Sequence, residues 1–292
     1  MMMPEPELVL DVRAELGEGP IWDAARERLL FVDIMRGHVH EFNPANGKDR
    51  VVEVGQPVGA VVPTVRGDWV IAAKDGFHRL DPVSGRTTLI AKVEADRTDT
   101  RMNDGYVDSR GRFWAGTMGL SGVRDRGSLY RLDPDGRVHR MLTPVTTSNG
   151  IDWSPDNRTM YYTDTRTGRV DIFDFEERAG KITRRRLFAT VSEEIGYPDG
   201  LIVDESGFLW LALWEGGAVH RLNPDGMVDR VVPMPVTLVT KCAFAGKQLD
   251  ELYITTAWIG LDETEKGRQK HAGGLYRLKP GVRGRPAHRF AG

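Results

Sequence analysis

The sequence predicts an all-β protein, a six-bladed β-propeller built from four-stranded antiparallel blades. Three observations predict it. One strand-and-turn pattern recurs six times, a second pattern keeps the same period, and no long amphipathic helix interrupts them. Self-similarity at a period of roughly 40–55 residues is the mark of blades set around an axis.

The first pattern is a half-buried strand closed by a turn. Its copies are Val39-His40-Glu41-Phe42-Asn43-Pro44, Phe77-His78-Arg79-Leu80-Asp81-Pro82 and Leu129-Tyr130-Arg131-Leu132-Asp133-Pro134. Val219-His220-Arg221-Leu222-Asn223-Pro224 and Leu275-Tyr276-Arg277-Leu278-Lys279-Pro280 follow, with Val170-Asp171-Ile172-Phe173-Asp174 as a weaker copy. Apolar and polar residues alternate, as one covered sheet face requires. The turn is cleanest at Asp133-Pro134-Asp135-Gly136 and Asn223-Pro224-Asp225-Gly226. There Pro fixes φ, Asp or Asn bonds its own backbone, and Gly accepts positive φ.

The second pattern is a polar residue, a glycine and an apolar strand. It occurs at Glu18-Gly19, Asp104-Gly105, Asn149-Gly150 and Asp199-Gly200. Asp23, Asp108 and Asp204 stand at the far ends of these strands and read as turn formers. A further apolar strand follows each, for example Phe113-Trp114-Ala115 and Leu209-Trp210-Leu211-Ala212. Trp22, Trp114, Trp153 and Trp210 recur within these strands and read as packing between blades. The strand Leu8-Val9-Leu10 is expected to join the last blade and lock the ring, which removes exposed edges.

The 292 residues, 40% hydrophobic and 28% charged, suit one soluble propeller spanning residues 1–292. A net charge of −2 supplies no field for nucleic acid. The basic run Lys181 to Arg186 lies between Glu176-Glu177 and Glu193-Glu194 and reads as a solvated strand edge. One cysteine, Cys242, fits a reducing, cytoplasmic setting. The start Met1-Met2-Met3-Pro4-Glu5-Pro6-Glu7 lacks the cationic and apolar segments of a leader. No stretch reaches the ~18 apolar residues of a membrane span. The expected partner is therefore a small molecule, with neither nucleic acid nor membrane, and the chain is expected to be a monomer or weak homo-oligomer.

In a propeller the first strand of each blade lines the channel, so residues at one repeat phase converge at one rim. Glu18, Asp104, Asn149 and Asp199 hold that phase in four blades. The other two offer Val58-Gly59 and the neighbourhood of Thr240-Lys241-Cys242. Asp-Gly and Asn-Gly alone are ordinary turn formers. Glu is a poor one, so Glu18 turns the argument toward ligation. Gathered carboxylates call for a cation, and this hard oxygen set suits calcium, magnesium or manganese and can also hold zinc.

Taken together, several segments resemble the gluconolactonase/senescence marker protein (regucalcin) family of six-bladed propellers. They are Leu16-Gly17-Glu18-Gly19-Pro20-Ile21-Trp22, Arg101-Met102-Asn103-Asp104-Gly105, Phe113-Trp114-Ala115-Gly116-Thr117-Met118, Ser148-Asn149-Gly150-Ile151-Asp152-Trp153, Pro198-Asp199-Gly200 and Ala272-Gly273-Gly274-Leu275-Tyr276. The resemblance implies that Glu18, Asn149 and Asp199 ligate one divalent ion, calcium foremost, with zinc, magnesium, manganese or iron as alternatives. It implies that Arg101 and Asn103 bind substrate, that Asp199 is the general base, and that Asp104 stands behind the ligands without touching the metal. The implied reaction is metal-dependent hydrolysis of a sugar lactone, of gluconolactone, xylonolactone or arabinolactone type, to the aldonic acid. Animal members carry a glutamate pair just after Gly-Thr-Met. Here that stretch is Gly119-Leu120-Ser121-Gly122, and a more open pocket is expected.

Other chemistries lack their motifs. There is no Gly-x-Gly-x-x-Gly, P-loop, His-Glu-x-x-His or Gly-x-Ser-x-Gly segment. His40, His78 and His220 share a strand position and read as blade packing, and His38 lacks a third histidine for zinc. Trp214 and Trp258, at strand ends, are candidates for the pocket wall, and His271 is a weaker one. Two further functions compete with the lactonase: a calcium-binding regulator without catalysis, and an organophosphate or aryl ester hydrolase on the same scaffold. A protein-interaction propeller would need no axial carboxylates, and its Trp-Asp repeat is absent.

Overall fold

Alternating strands with tight turns pair with their sequence neighbours, and this chain does so in every blade except where the ring closes. A computed structural model describes residues 5–292. Residues 1–4, part of the stretch read as lacking a leader, lie outside it. Six sheets form, each of four antiparallel strands. Five are simple meanders of consecutive strands: residues 17–53 (blade 1), 58–92 (blade 2), 100–145 (blade 3), 148–190 (blade 4) and 197–233 (blade 5). Blade 6 takes three strands from residues 239–278, and its outermost strand is Glu7–Leu10. Leu8 pairs with Tyr276 and Glu7 with Arg277, so the expected lock is present. Among the described residues no helix is long and apolar enough to cross a membrane.

The blades are glued by aromatics. Trp69, Trp114, Trp153 and Trp210 are fully buried. Trp114 of blade 3 meets Trp153 of blade 4 at 5.9 Å between ring centroids, and Trp210 of blade 5 meets Phe244 of blade 6 edge-on at 5.9 Å. Trp22 packs with Ala245 and Tyr253 of blade 6. His40 stacks on Phe31, and its Nδ1 lies 2.7 Å from Asp49, as blade packing requires. His78 is bonded to Asp75 in the same manner. The basic run of blade 4 is an exposed outer strand whose arginines pair with Asp171 and Asp174 of their own blade.

The aspartates read as turn formers do more than turn the chain. Asp108 Oδ1 accepts from the backbone of Arg110 and Arg112, while Oδ2 accepts from the Trp114 indole at 2.7 Å and from Arg112 Nε. Asp204 repeats the device with Trp210 and Arg221. Each carboxylate thus ties a hairpin to the core tryptophan beneath it. Such a network stabilises a buried charge because its bonding capacity is filled.

In all six inner strands the pairing with the second strand slips near the same level. The shifts fall between Glu18 and Ile21, Val58 and Ala60, Met102 and Gly105, Asn149 and Ile151, Pro198 and Leu201, and Val239 and Lys241. A bulge re-aims side chains out of strict alternation, and here it marks the upper rim of the axis. The lower rim is crossed by the irregular segment 283–291. Its backbone or side chains bond to Leu249, Glu205, Trp153, Gly111, Pro63 and Asp23, one partner from each blade.

Candidate active site at the upper rim

The bulged inner strands bring Glu18, Arg101, Asn103, Asn149 and Asp199 to one cavity of about 330 Å³. This volume is in the range of small-molecule sites. All five side chains are at least 94% buried. Above them Leu16, Met118, Tyr197, Trp214 and Ile259 form a largely apolar wall. Arg166 lies over the Tyr197 ring at 5.4 Å.

Hydrogen bonds fix the polar floor. Glu18 Oε2 accepts from the Gly19 amide at 2.7 Å. Arg101 donates to Asn103 Oδ1 at 2.7 Å and to the Met102 carbonyl, and Asn103 Nδ2 donates to the Ser148 carbonyl at 2.8 Å. Asn149 Nδ2 donates to Thr165 Oγ1 at 3.0 Å, which leaves its Oδ1 without a partner. Asp199 Oδ1 is also buried and unpaired. An unsatisfied buried acceptor costs about 1–3 kcal/mol. Two in one cavity, beside a buried glutamate, present oxygens that no donor satisfies. The chemistry fits a hard divalent cation.

The electrostatics agree. Burial, with the Asp104 charge adding to it, pushes Glu18 up to about 8, against the pull of Lys241 and Arg101. Burial and then the charges of Glu18 and Asp104 push Asp199 well above the carboxylate range. Burial lowers Arg101 to about 10, while Glu18 and Asp199 hold it up. These two carboxylates repel each other in a dry site, and a cation between them would relieve both.

Asp104 is not with them. Its carboxylate is fully buried outside the cavity wall, accepting from Lys241 Nζ at 2.5 Å and from the Gly105 amide at 2.7 Å. Of the four residues that share the repeat phase, three line the cavity and Asp104 is paired with a lysine outside its wall. Among the described residues no group of three or more His, Cys, Asp or Glu is placed to hold a metal. The candidate set is two carboxylates and an amide oxygen. Trp214 borders the cavity as expected. Trp258 does not: its indole donates to the Arg13 carbonyl beside a separate cleft. His271 is half exposed, with Nδ1 3.5 Å from Asp11, and lies away from the cavity.

The family model for the SMP-30/gluconolactonase/LRE-like region matches residues 16–258. The chain belongs to that family. Regucalcin of Gallus gallus is 40% identical over 293 residues, covering 98% of each chain. The structure of a calcium-binding protein, regucalcin, from Agrobacterium tumefaciens superposes with a TM-score of 0.95 at 29% identity, over 99% of this chain and 97% of that one. A gluconolactonase from Xanthomonas campestris gives a TM-score of 0.76 at 25% identity, over 93% of this chain and 88% of that one.

All five cavity-floor residues, and Lys241, fall inside the SMP-30/gluconolactonase/LRE-like match, whereas the lower-rim segment 283–291 lies beyond it. Thr165 and the Ser148 carbonyl escaped the sequence, and the sequence places Lys241 at the axial phase of blade 6 without a role. The first two bond through partners that no local pattern records. Lys241 did leave a trace, as a lone cation in an inner strand that is otherwise apolar or small.

Proposed function

We propose that this cavity hydrolyses a sugar lactone to its aldonic acid, with one divalent cation, calcium foremost, held by Glu18, Asn149 and Asp199. The observation that carries the reading is the pair of unpaired, buried oxygens, Asn149 Oδ1 and Asp199 Oδ1, at the floor beside Glu18. Family membership and the likeness to a gluconolactonase support a lactone as substrate. When bound, a divalent cation supplies Lewis acidity toward the lactone carbonyl and acidifies water. Asp199, whose buried carboxylate borders the cavity, accepts the proton of the attacking water. The water oxygen bonds to the carbonyl carbon, the ring C–O bond then breaks, and the departing ring alkoxide takes the proton from Asp199. Arg101, cationic across the neutral range and braced by Asn103, offers its guanidinium to the developing oxyanion or a ring hydroxyl. It cannot act as the base at neutral pH.

The wall takes no carboxylate from the short turn Leu120–Gly122, and Met118 borders the cavity there. The departure from animal members thus leaves an apolar side to the pocket. The test is acid release from gluconolactone, xylonolactone, arabinolactone and galactonolactone, before and after chelation. Turnover that chelator stops and calcium restores supports the reading. No turnover on any lactone, with calcium still bound, would instead support a binding protein without catalysis.

A further inference from the structure

The axial cluster contains an ion pair that the proposed chemistry does not use. Lys241 Nζ lies 2.5 Å from Asp104 Oδ1, and the two side chains are 1% and 0% exposed. Lys241 comes from blade 6 and Asp104 from blade 3, which face each other across a ring of six, so the pair spans the axis. Its position is enforced by shape. A Cβ on Gly200, the residue after Asp199, would sit 2.4 Å from Lys241 Cγ, so the glycine exists to let the lysine pass. A buried ion pair is weak evidence for stability, because desolvation offsets its attraction. Its placement suggests another role. Glu18, Asp104 and Asp199 bring three negative charges and Lys241 and Arg101 two positive ones. The ammonium cancels Asp104 and leaves two carboxylates to face a divalent ion.

We propose that the Lys241–Asp104 pair sets the charge of the axial site and thereby how tightly Glu18, Asn149 and Asp199 hold a divalent cation. The inference rests on the metal reading above and concerns affinity, with no contact to substrate. Removing the positive member should tighten cation binding, and removing the negative member should weaken it. A purely structural brace would make both changes act in one direction.

The experiment is calorimetric titration of calcium chloride into the chelator-stripped full chain, as wild type, Lys241→Met, Asp104→Asn and the double variant. Substitutions one layer out from a metal commonly move affinity about 10–100-fold. Lys241→Met should bind calcium about tenfold tighter, Asp104→Asn about tenfold weaker, and the double variant within about threefold of wild type. Lys241→Met leaves a buried carboxylate unpaired and is the variant most at risk of misfolding. If it fails to fold, weakening in Asp104→Asn with recovery in the double variant still supports the proposal. Single variants that shift the same way, or a double variant that does not recover, overturn it. Wild type that binds calcium while no variant moves the affinity overturns this inference alone. Wild type that binds neither calcium nor magnesium, manganese or zinc overturns the metal reading and this inference with it.

Discussion

The two ends of the axis are built from the same inner strands and end in opposite states. At the lower rim the segment 283–291 fills the polar groups it meets. Arg285 bonds to Asp152 and to the carbonyls of Val203 and Trp153, Arg289 bonds to Asp23, and Phe290 exchanges backbone bonds with Pro63 and Val65. At the upper rim Asn149 and Asp199 keep oxygens unpaired, and burial, with the Asp104 charge adding to it, forces Glu18 up. Satisfied polar groups stabilise, and unsatisfied acceptors that line a cavity mark where structure has been traded for binding. The lower end therefore holds the ring and the upper end is poised to hold something else.

Changes at each end should separate accordingly. Asp199→Asn should cut lactone turnover by about a thousandfold or more, while the melting temperature stays level or rises because a repelling charge has gone; steady-state assays and thermal melts decide it. Phe290→Ala should act in reverse. Phe290 is 1% exposed against blade 2, and its truncation should cost about 3–5 kcal/mol of stability. KM for the lactone should be unchanged, and a large KM effect would show that the two ends are coupled. Arg101→Lys keeps the charge but loses the planar fork that Asn103 braces, so kcat/KM should fall about 10–100-fold with little change in melting. The smallest effect is expected at the wall. Trp214→Ala should raise KM about threefold to tenfold with kcat nearly constant, as loss of part of an apolar contact predicts.

What could be read in advance follows the same division. The upper rim was legible because a repeat carries register: Glu18, Asn149 and Asp199 share a phase, and a ring turns phase into proximity. Asp104 shares that phase too, and nothing local distinguishes it. Its separation depends on Lys241, which is 137 residues away in sequence. Blade 6 also breaks the pattern, offering Val239-Thr240-Lys241 where four other blades show a polar residue before glycine. The lower rim was invisible because Arg283-Gly284-Arg285-Pro286-Ala287-His288-Arg289-Phe290 has no period and reads as polar loop. Its order comes from contacts with six separate hairpins, which no window of sequence contains. The turn-forming aspartates were half legible: their spacing showed the hairpin, and only the fold showed the tryptophans that Asp108 and Asp204 anchor.

The claim on which the account rests is that one divalent ion sits among Glu18, Asn149 and Asp199. The most direct measurement is the anomalous scattering of crystals soaked in manganese chloride. The account predicts a single strong peak at the upper rim, roughly 2.0–2.5 Å from a Glu18 carboxylate oxygen, Asn149 Oδ1 and an Asp199 carboxylate oxygen. A peak elsewhere with these three residues bare, or no peak at saturating manganese, would contradict it.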